Sequence, residues 1–195
     1  MNTTLRNACI EDAPALVELM NMAGDGIPAY LWGLMAAPGE EAVSVGRRRV
    51  AGTEGGFSHI NAHVVESDGV VAGMLLGYRL PDPGESHADG VPAVVRPLLE
   101  LESLAPGSWY INAVATAPGH RGRGVGSQLM AWAERLAQAS DARSLSLIVA
   151  EANAGACRLY ARLGYQVAAR RPIVAFPGCP HAGDWLLMVK VLSSG

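Results

Sequence analysis

Hydrophobic and polar positions along the chain repeat with the two periods that distinguish strands from helices. Residues 5–9 read as a short first strand. Asp12 and Pro14 then give an N-cap and first-turn signal for a helix carrying Leu16, Val17, Leu19 and Met20, and residues 24–28 end it. A second helical segment, 29–35, holds Tyr30 and Trp32, and Pro38 with Gly39 break it before a third over 40–49. Two extended runs, 63–66 and 70–78, flank Ser-Asp-Gly, the turn chemistry of a β-hairpin. Residues 81–107 are rich in proline and acids and read as a long surface connection with one helix-compatible patch at 94–104. Beyond it the chain predicts a strand at 109–116, a loop at 117–123, and a helix with Val125, Leu129, Trp132, Ala133 and Leu136 on one face. A strand at 145–150, a helix at 154–163 closed by Gly164 as a left-handed cap, and strands at 165–169 and 185–192 complete the pattern. No segment repeats, which excludes solenoids and propellers.

Composition narrows this picture. A chain of 195 residues with 50% hydrophobic and 17% charged residues can bury a sizeable core, and the expectation is one domain over residues 1–195. The net charge of −3 supplies no field for a polyanion, so nucleic acid is a poor partner. Cys9, Cys157 and Cys179 have neither CxxC nor His spacing, which argues against a disulfide framework or a zinc site; no metal is expected. Glu11 and Asp12 interrupt the place where a secretory leader needs its apolar run, and no stretch approaches a membrane span. A cytoplasmic protein without membrane association is the expectation. Low charge with high apolar content also points to a buried subunit surface, that of a homodimer.

The chemistry concentrates in Arg121-Gly122-Arg123-Gly124-Val125-Gly126-Ser127, which joins a strand to a helix. There backbone N–H groups converge on an anion, glycines let the backbone approach phosphate, and Arg121 and Arg123 add charge. A Walker A loop would need a lysine that this segment lacks. A dinucleotide fingerprint would need glycine at Ser127, and Asp141, near the right distance for its ribose partner, follows a helix instead of ending a second strand. The remaining pattern, Arg121-x-x-Gly124-x-Gly126, resembles the signature loop of the GCN5-related N-acetyltransferases (GNAT family).

The resemblance continues through Ile111 to Pro118, placed like the strand that family uses for the acyl-pantetheine arm. It also takes in the run Asn153-Ala154-Gly155-Ala156-Cys157-Arg158-Leu159-Tyr160, similar to its Asn-x-x-Ala-x-x-Leu-Tyr pattern. It implies an α/β fold whose mixed central sheet has helices on both faces and is splayed between the strand ending at Thr116 and the strand ending at Ala150. It implies acetyl-CoA as co-substrate, held by Val114, Ala115, Thr116, the loop from Arg121 to Ser127, Asn153, Ala156 and Tyr160. It implies direct acetyl transfer to an amine, with Tyr30, Trp32 and Asn112 as acceptor contacts. An acyl-CoA-binding module without catalysis is the alternative.

Each signal also has a plainer reading. A glycine loop can be only a tight turn, Asn153 an N-cap, and Tyr160 a core tyrosine on the apolar helix face with Ala156, Leu159 and Leu163. The mechanism constrains them further. Backbone N–H groups of the strand around Val114 to Thr116 suit a developing oxyanion. Tyr160, with a reference pKa of about 10, can give a proton to the leaving thiolate. No base is assigned: Asn112 cannot serve, and His181, Asp184 or the 81–107 connection, with Glu100 and Glu102, are the candidates along with water. Cys157 has no His partner in view and is not expected to act as a nucleophile.

Overall fold

The computed structural model describes residues 3–82 and 90–192. Seven strands form one mixed sheet in the order β1-β2-β3-β4-β5-β7-β6. The packing falls into two compact units, Met1–Gly77 with Asn112–Trp132, and Tyr78–Ile111 with Ala133–Gly195.

In the first unit, β1 (Thr3–Asn7) pairs antiparallel with β2 (Ala62–Ser67), and β2 with β3 (Val70–Arg79). Asp68 at φ +50° and Gly69 at φ +81° make the two-residue turn of this hairpin, both in the left-handed conformation that such a turn demands. Three helices bury their apolar faces on this part of the sheet: α1 (Ala13–Ala23) through Leu16, Val17, Leu19 and Met20, α2 (Ile27–Met35) through Ile27 and Trp32, and α3 (Ala42–Ala51) through Val45 and Val50. Ala113 and Ala115 of β4 (Trp109–Thr116) join that core. α2 meets α3 where Gly46 leaves room for the Trp32 indole; a Cβ there would lie 2.7 Å from the ring. Gly73 of β3 has a similar role. A Cβ would stand 2.6 Å from Val125 and 2.9 Å from the Ala115 carbonyl, so the start of α5 (Val125–Ala139) seats on a position without a side chain.

In the second unit, β5 (Ser144–Ala150) pairs with β7 (Asp184–Val191) along its whole length, from Ser144↔Val191 to Ala150↔Trp185, and β6 (Gln166–Pro172) adds to the outer edge of β7. β4 runs parallel to β5 over Trp109–Ile111 and Leu145–Leu147. From there Ile148–Ala150 remain bonded to β7. A buried Ser108–Ser146 hydroxyl pair, 2.7 Å apart, ties the paired part of β4 to β5. α4 (Arg96–Glu102) packs on β6 and β7, and α6 (Ala154–Arg162) ends at Gly164 with φ +91°.

Several boundaries differ from the sequence expectation, each for a local reason. The first strand is Thr3–Asn7 and not 5–9, because the Cys9 N–H is taken by the Asp12 carboxylate at 2.8 Å. Asp12 consequently makes no cap bond to α1. Its oxygens instead receive Arg6 at 2.7 and 3.0 Å, and Arg6 also reaches Glu66 at 2.8 Å. Arg6 is the main reason the nearly buried Asp12 carboxyl sits at about 2, below its ordinary 3.8. α2 begins at Ile27, two residues early, since Pro28 fits the first turn of a helix. α3 runs to Ala51, and α4 occupies only Arg96–Glu102 of the 94–104 patch. β6 extends through Arg170 and Arg171, side chains that an edge strand tolerates. β7 starts at Asp184, so that residue is the first of a strand and does not lie in the preceding loop.

Candidate functional site

In the first unit, β4 leads through a short 3-10 turn, Pro118–His120, into the glycine loop and α5. Gly122 (φ +73°) and Gly124 (φ +81°) adopt conformations that disfavour any side chain, and a Cβ at either would face open space. The first bond of α5 runs from Gln128 N–H to the Gly124 carbonyl. The N–H groups of Val125, Gly126 and Ser127 therefore precede any acceptor within the helix. Gly126 adds no bulk over Thr116, whose hydroxyl lies 3.7 Å from where a Cβ would be. Arg121 and Arg123 are exposed, and the Arg121 guanidinium rests on the Met22 sulfur at 3.3 Å. Open glycines, amides without helical partners and two guanidinium groups are what a diphosphate requires, so these residues fit the group that the loop's signature implies.

β4 alternates clearly. Ala113 and Ala115 are buried in the core, while Asn112, Val114 and Thr116 are partly exposed on the other face. Trp32 is 3% exposed and belongs to the core against Gly46, so its burial gives it a packing role. Tyr30 is half-buried on α2.

In the second unit, Asn153 caps α6, its side-chain oxygen accepting from the Ala156 N–H at 3.2 Å. Tyr160 is buried on α6, its ring centroid 5.9 Å from that of Tyr165. The Tyr165 hydroxyl is buried without a hydrogen-bond partner among the described residues, and burial raises its pKa. The Cys157 thiol points to the Ala150 carbonyl at 3.7 Å, and burial raises its pKa too, which argues against a nucleophile. Asp184 faces Arg170 at 3.7 Å, and the His181 carbonyl accepts the Cys179 thiol at 3.2 Å. Glu100 is paired with Arg171 at 2.6 Å.

The same unit holds a group that sequence reasoning named but did not single out. The Glu102 carboxyl is hydrogen-bonded by the Tyr110 hydroxyl, and burial pushes its pKa from 4.5 up to about 7. Tyr110 is 4% exposed and stands edge-on to Tyr78, with centroids 5.9 Å apart and planes at 69°. Burial, then Glu102, raise the Tyr110 phenol. No periodicity marks Glu102, because a single carboxylate at a helix end looks solvated until the partner strand is known.

Among the described residues no group of three or more His, Cys, Asp or Glu side chains could hold a metal, and no helix is long and apolar enough to cross a membrane. Residues 31–165 match the acetyltransferase (GNAT) family. The chain belongs to the GNAT family. Solved structures share its fold. An acetyltransferase of 21% identity aligns over 97% of this chain and 100% of its own with a TM-score of 0.67. Ard1 from Thermoplasma volcanium aligns over 100% of both chains at 15% identity and a TM-score of 0.64. The yncA protein of Salmonella typhimurium, solved with its cofactor acetyl-CoA, aligns over 100% of this chain and 96% of its own at 21% identity and a TM-score of 0.60. No curated protein matches the chain in sequence.

Proposed function

We propose that this GNAT protein transfers the acetyl group of acetyl-CoA directly to a primary amine of a small molecule or peptide. The observation that carries the reading is the loop from Arg121 to Ser127, with its positive-φ glycines and the first amides of α5, which lie ahead of any acceptor within the helix. It is joined by the family match over 31–165 and by the acetyl-CoA bound to the yncA protein of similar fold. When bound, acetyl-CoA supplies an activated thioester carbonyl. Backbone N–H groups around Val114 to Thr116 are placed in the role of donors to the carbonyl oxygen as it becomes negative, where prearranged dipoles need no reorganisation. Asn153 and Ala156 take the pantetheine end. Tyr160 gives a proton to the departing sulfur, a phenol being the weaker acid of the two and so still protonated at pH 7. Tyr30, Trp32 and Asn112 are the proposed acceptor side, with Trp32 supporting the helix from within the core.

The test is thermal unfolding with acetyl-CoA, CoA, NAD and ATP in parallel, followed by thiol release with a panel of primary amines. At about 100 times Kd a ligand contributes ~2.7 kcal/mol, several degrees for a domain of this size. The expected result is a rise with acetyl-CoA and CoA alone, abolished in Gly124→Glu, whose carboxylate would enter the open space beside the amides. No rise with either would remove the donor site. Binding without amine-dependent thiol release would favour a non-catalytic acyl-CoA-binding module.

A further inference from the structure

The glycine loop opens on Arg121, an exposed side chain with many rotamers, and ordering such a side chain on a ligand costs binding energy. The first unit already holds it. The Arg121 guanidinium donates through Nη2 to the Met22 sulfur at 3.3 Å, a contact between positions 99 apart in the chain. Both ends of that contact are anchored. Met22 lies on the last turn of α1, half-buried and packed against the core cluster that includes Leu16, Met20, Val64 and Met74. The turn that carries Arg121 is seated on the same cluster through Ala117, whose N–H donates to the Ala72 carbonyl of β3 at 2.9 Å. The Arg121 N–H then closes the turn on the Pro118 carbonyl at 3.4 Å.

The chemistry of the sulfur matters as much as its position. Elsewhere in this unit Arg6 is held by Asp12 and Glu66, and Arg48 by Glu40, pairs in which a carboxylate offsets the guanidinium charge. A thioether is polarisable, neutral and a weak acceptor. It orients a guanidinium without neutralising it. A diphosphate that takes over such a contact displaces a weak acceptor instead of a carboxylate, and it gains charge-assisted hydrogen bonds in exchange.

We infer that Met22 is a positioning residue for the donor. Its sulfur holds the Arg121 side chain at the start of the glycine loop, ordered in advance and fully charged, for the diphosphate of acetyl-CoA. This rests on the donor reading above and extends it to a residue on α1, outside the loop. Arg121 and the amides of Val125, Gly126 and Ser127 meet the ligand, and Met22 acts through Arg121.

The test is calorimetric titration of acetyl-CoA into the wild type, Met22→Leu, Met22→Gln, Arg121→Ala and the double variant that combines Met22→Leu with Arg121→Ala. Leucine keeps apolar bulk against the core and removes the acceptor. Met22→Leu should weaken acetyl-CoA binding about 3- to 10-fold, the cost of ordering one rotamer-rich side chain at binding. The same change should have no further effect once Arg121 is alanine, because its only route to the ligand has gone. Met22→Gln offers a neutral amide oxygen to the guanidinium and should restore affinity to within about twofold of the wild type. Thermal unfolding without ligand reports that each variant is folded.

Met22→Leu with wild-type affinity overturns the role. A loss that persists undiminished in the Arg121→Ala background also overturns it, since that marks a general disturbance of α1. So does a folded Met22→Gln that binds as poorly as Met22→Leu. Arg121→Ala with undiminished affinity removes the part of Arg121, and that of Met22 with it, while the donor site stands. A wild type that binds no acetyl-CoA overturns the donor reading itself.

Discussion

Replacing Glu102 by glutamine perturbs the folding equilibrium, in a direction set by linkage. In the folded chain the carboxyl sits at about 7 against an ordinary 4.5, so between those values the folded state holds a proton that the unfolded state has released. Stability must then fall as pH rises through that window, and the whole displacement corresponds to ~3 kcal/mol, lost by about pH 7 to 8 and fully regained below about 4.5. Glutamine keeps the shape and has no charge to desolvate, so the variant should not show this fall. Urea unfolding of both proteins isolates the effect as a difference: near equality at about pH 4.5, and the variant more stable by ~3 kcal/mol at about pH 8. On heating, that difference is roughly 6–12 °C in Tm for a chain of this length. Parallel stability curves across the window would refute the buried, protonated state of Glu102 and the physical argument built on it.

Two further substitutions address other parts of the chain. Tyr160→Phe removes the proposed donor to sulfur and should lower kcat by ~10² or more with little change in acetyl-CoA affinity, measured by steady-state thiol release and titration; an unchanged kcat takes Tyr160 out of the mechanism. Asp12 titrates in a separate, acid window. Its carboxyl is held at about 2 against 3.8, chiefly by Arg6, so this contribution is complete above about pH 3.8 and disappears as pH falls through about 2. Asp12→Asn should therefore cost ~2 kcal/mol at pH 7 and progressively less below about pH 3.8, as read by denaturant unfolding at both ends; an equal deficit at both would contradict the pairing.

What the chain reveals about itself depends on how local each cause is. β4 is legible at both ends, Trp109 and Thr116, because strand alternation and the glycines that follow are properties of neighbouring residues. The hairpin turn at Asp68 and Gly69 and the left-handed Gly164 are readable for the same reason. The glycine loop is a contiguous segment, so its chemistry can be read before its shape. Asp12 looks like an N-cap until Arg6 and Cys9 are known to reach it. The packing role of Trp32 is invisible until Gly46, fourteen positions on, is known to leave a space shaped for its ring. Glu102 is the sharpest case. Its altered acidity comes from burial and from Tyr110, a residue on another element, and nothing in Arg96–Glu102 announces either.

Gly73 has a consequence that reaches beyond packing. Buried on β3, with hydrogen in place of a methyl group, it sets how low the first turn of α5 rides over the strand, with Val125 and Leu129 resting where a side chain would be. The amides of Val125, Gly126 and Ser127 inherit that height. A binding surface made of backbone has no side chains to adjust, so its fine tuning is delegated to the residues beneath it. Changes in donor affinity during the divergence of such a protein can thus arise on the hidden side of a helix, in a strand that a map of ligand contacts would leave blank.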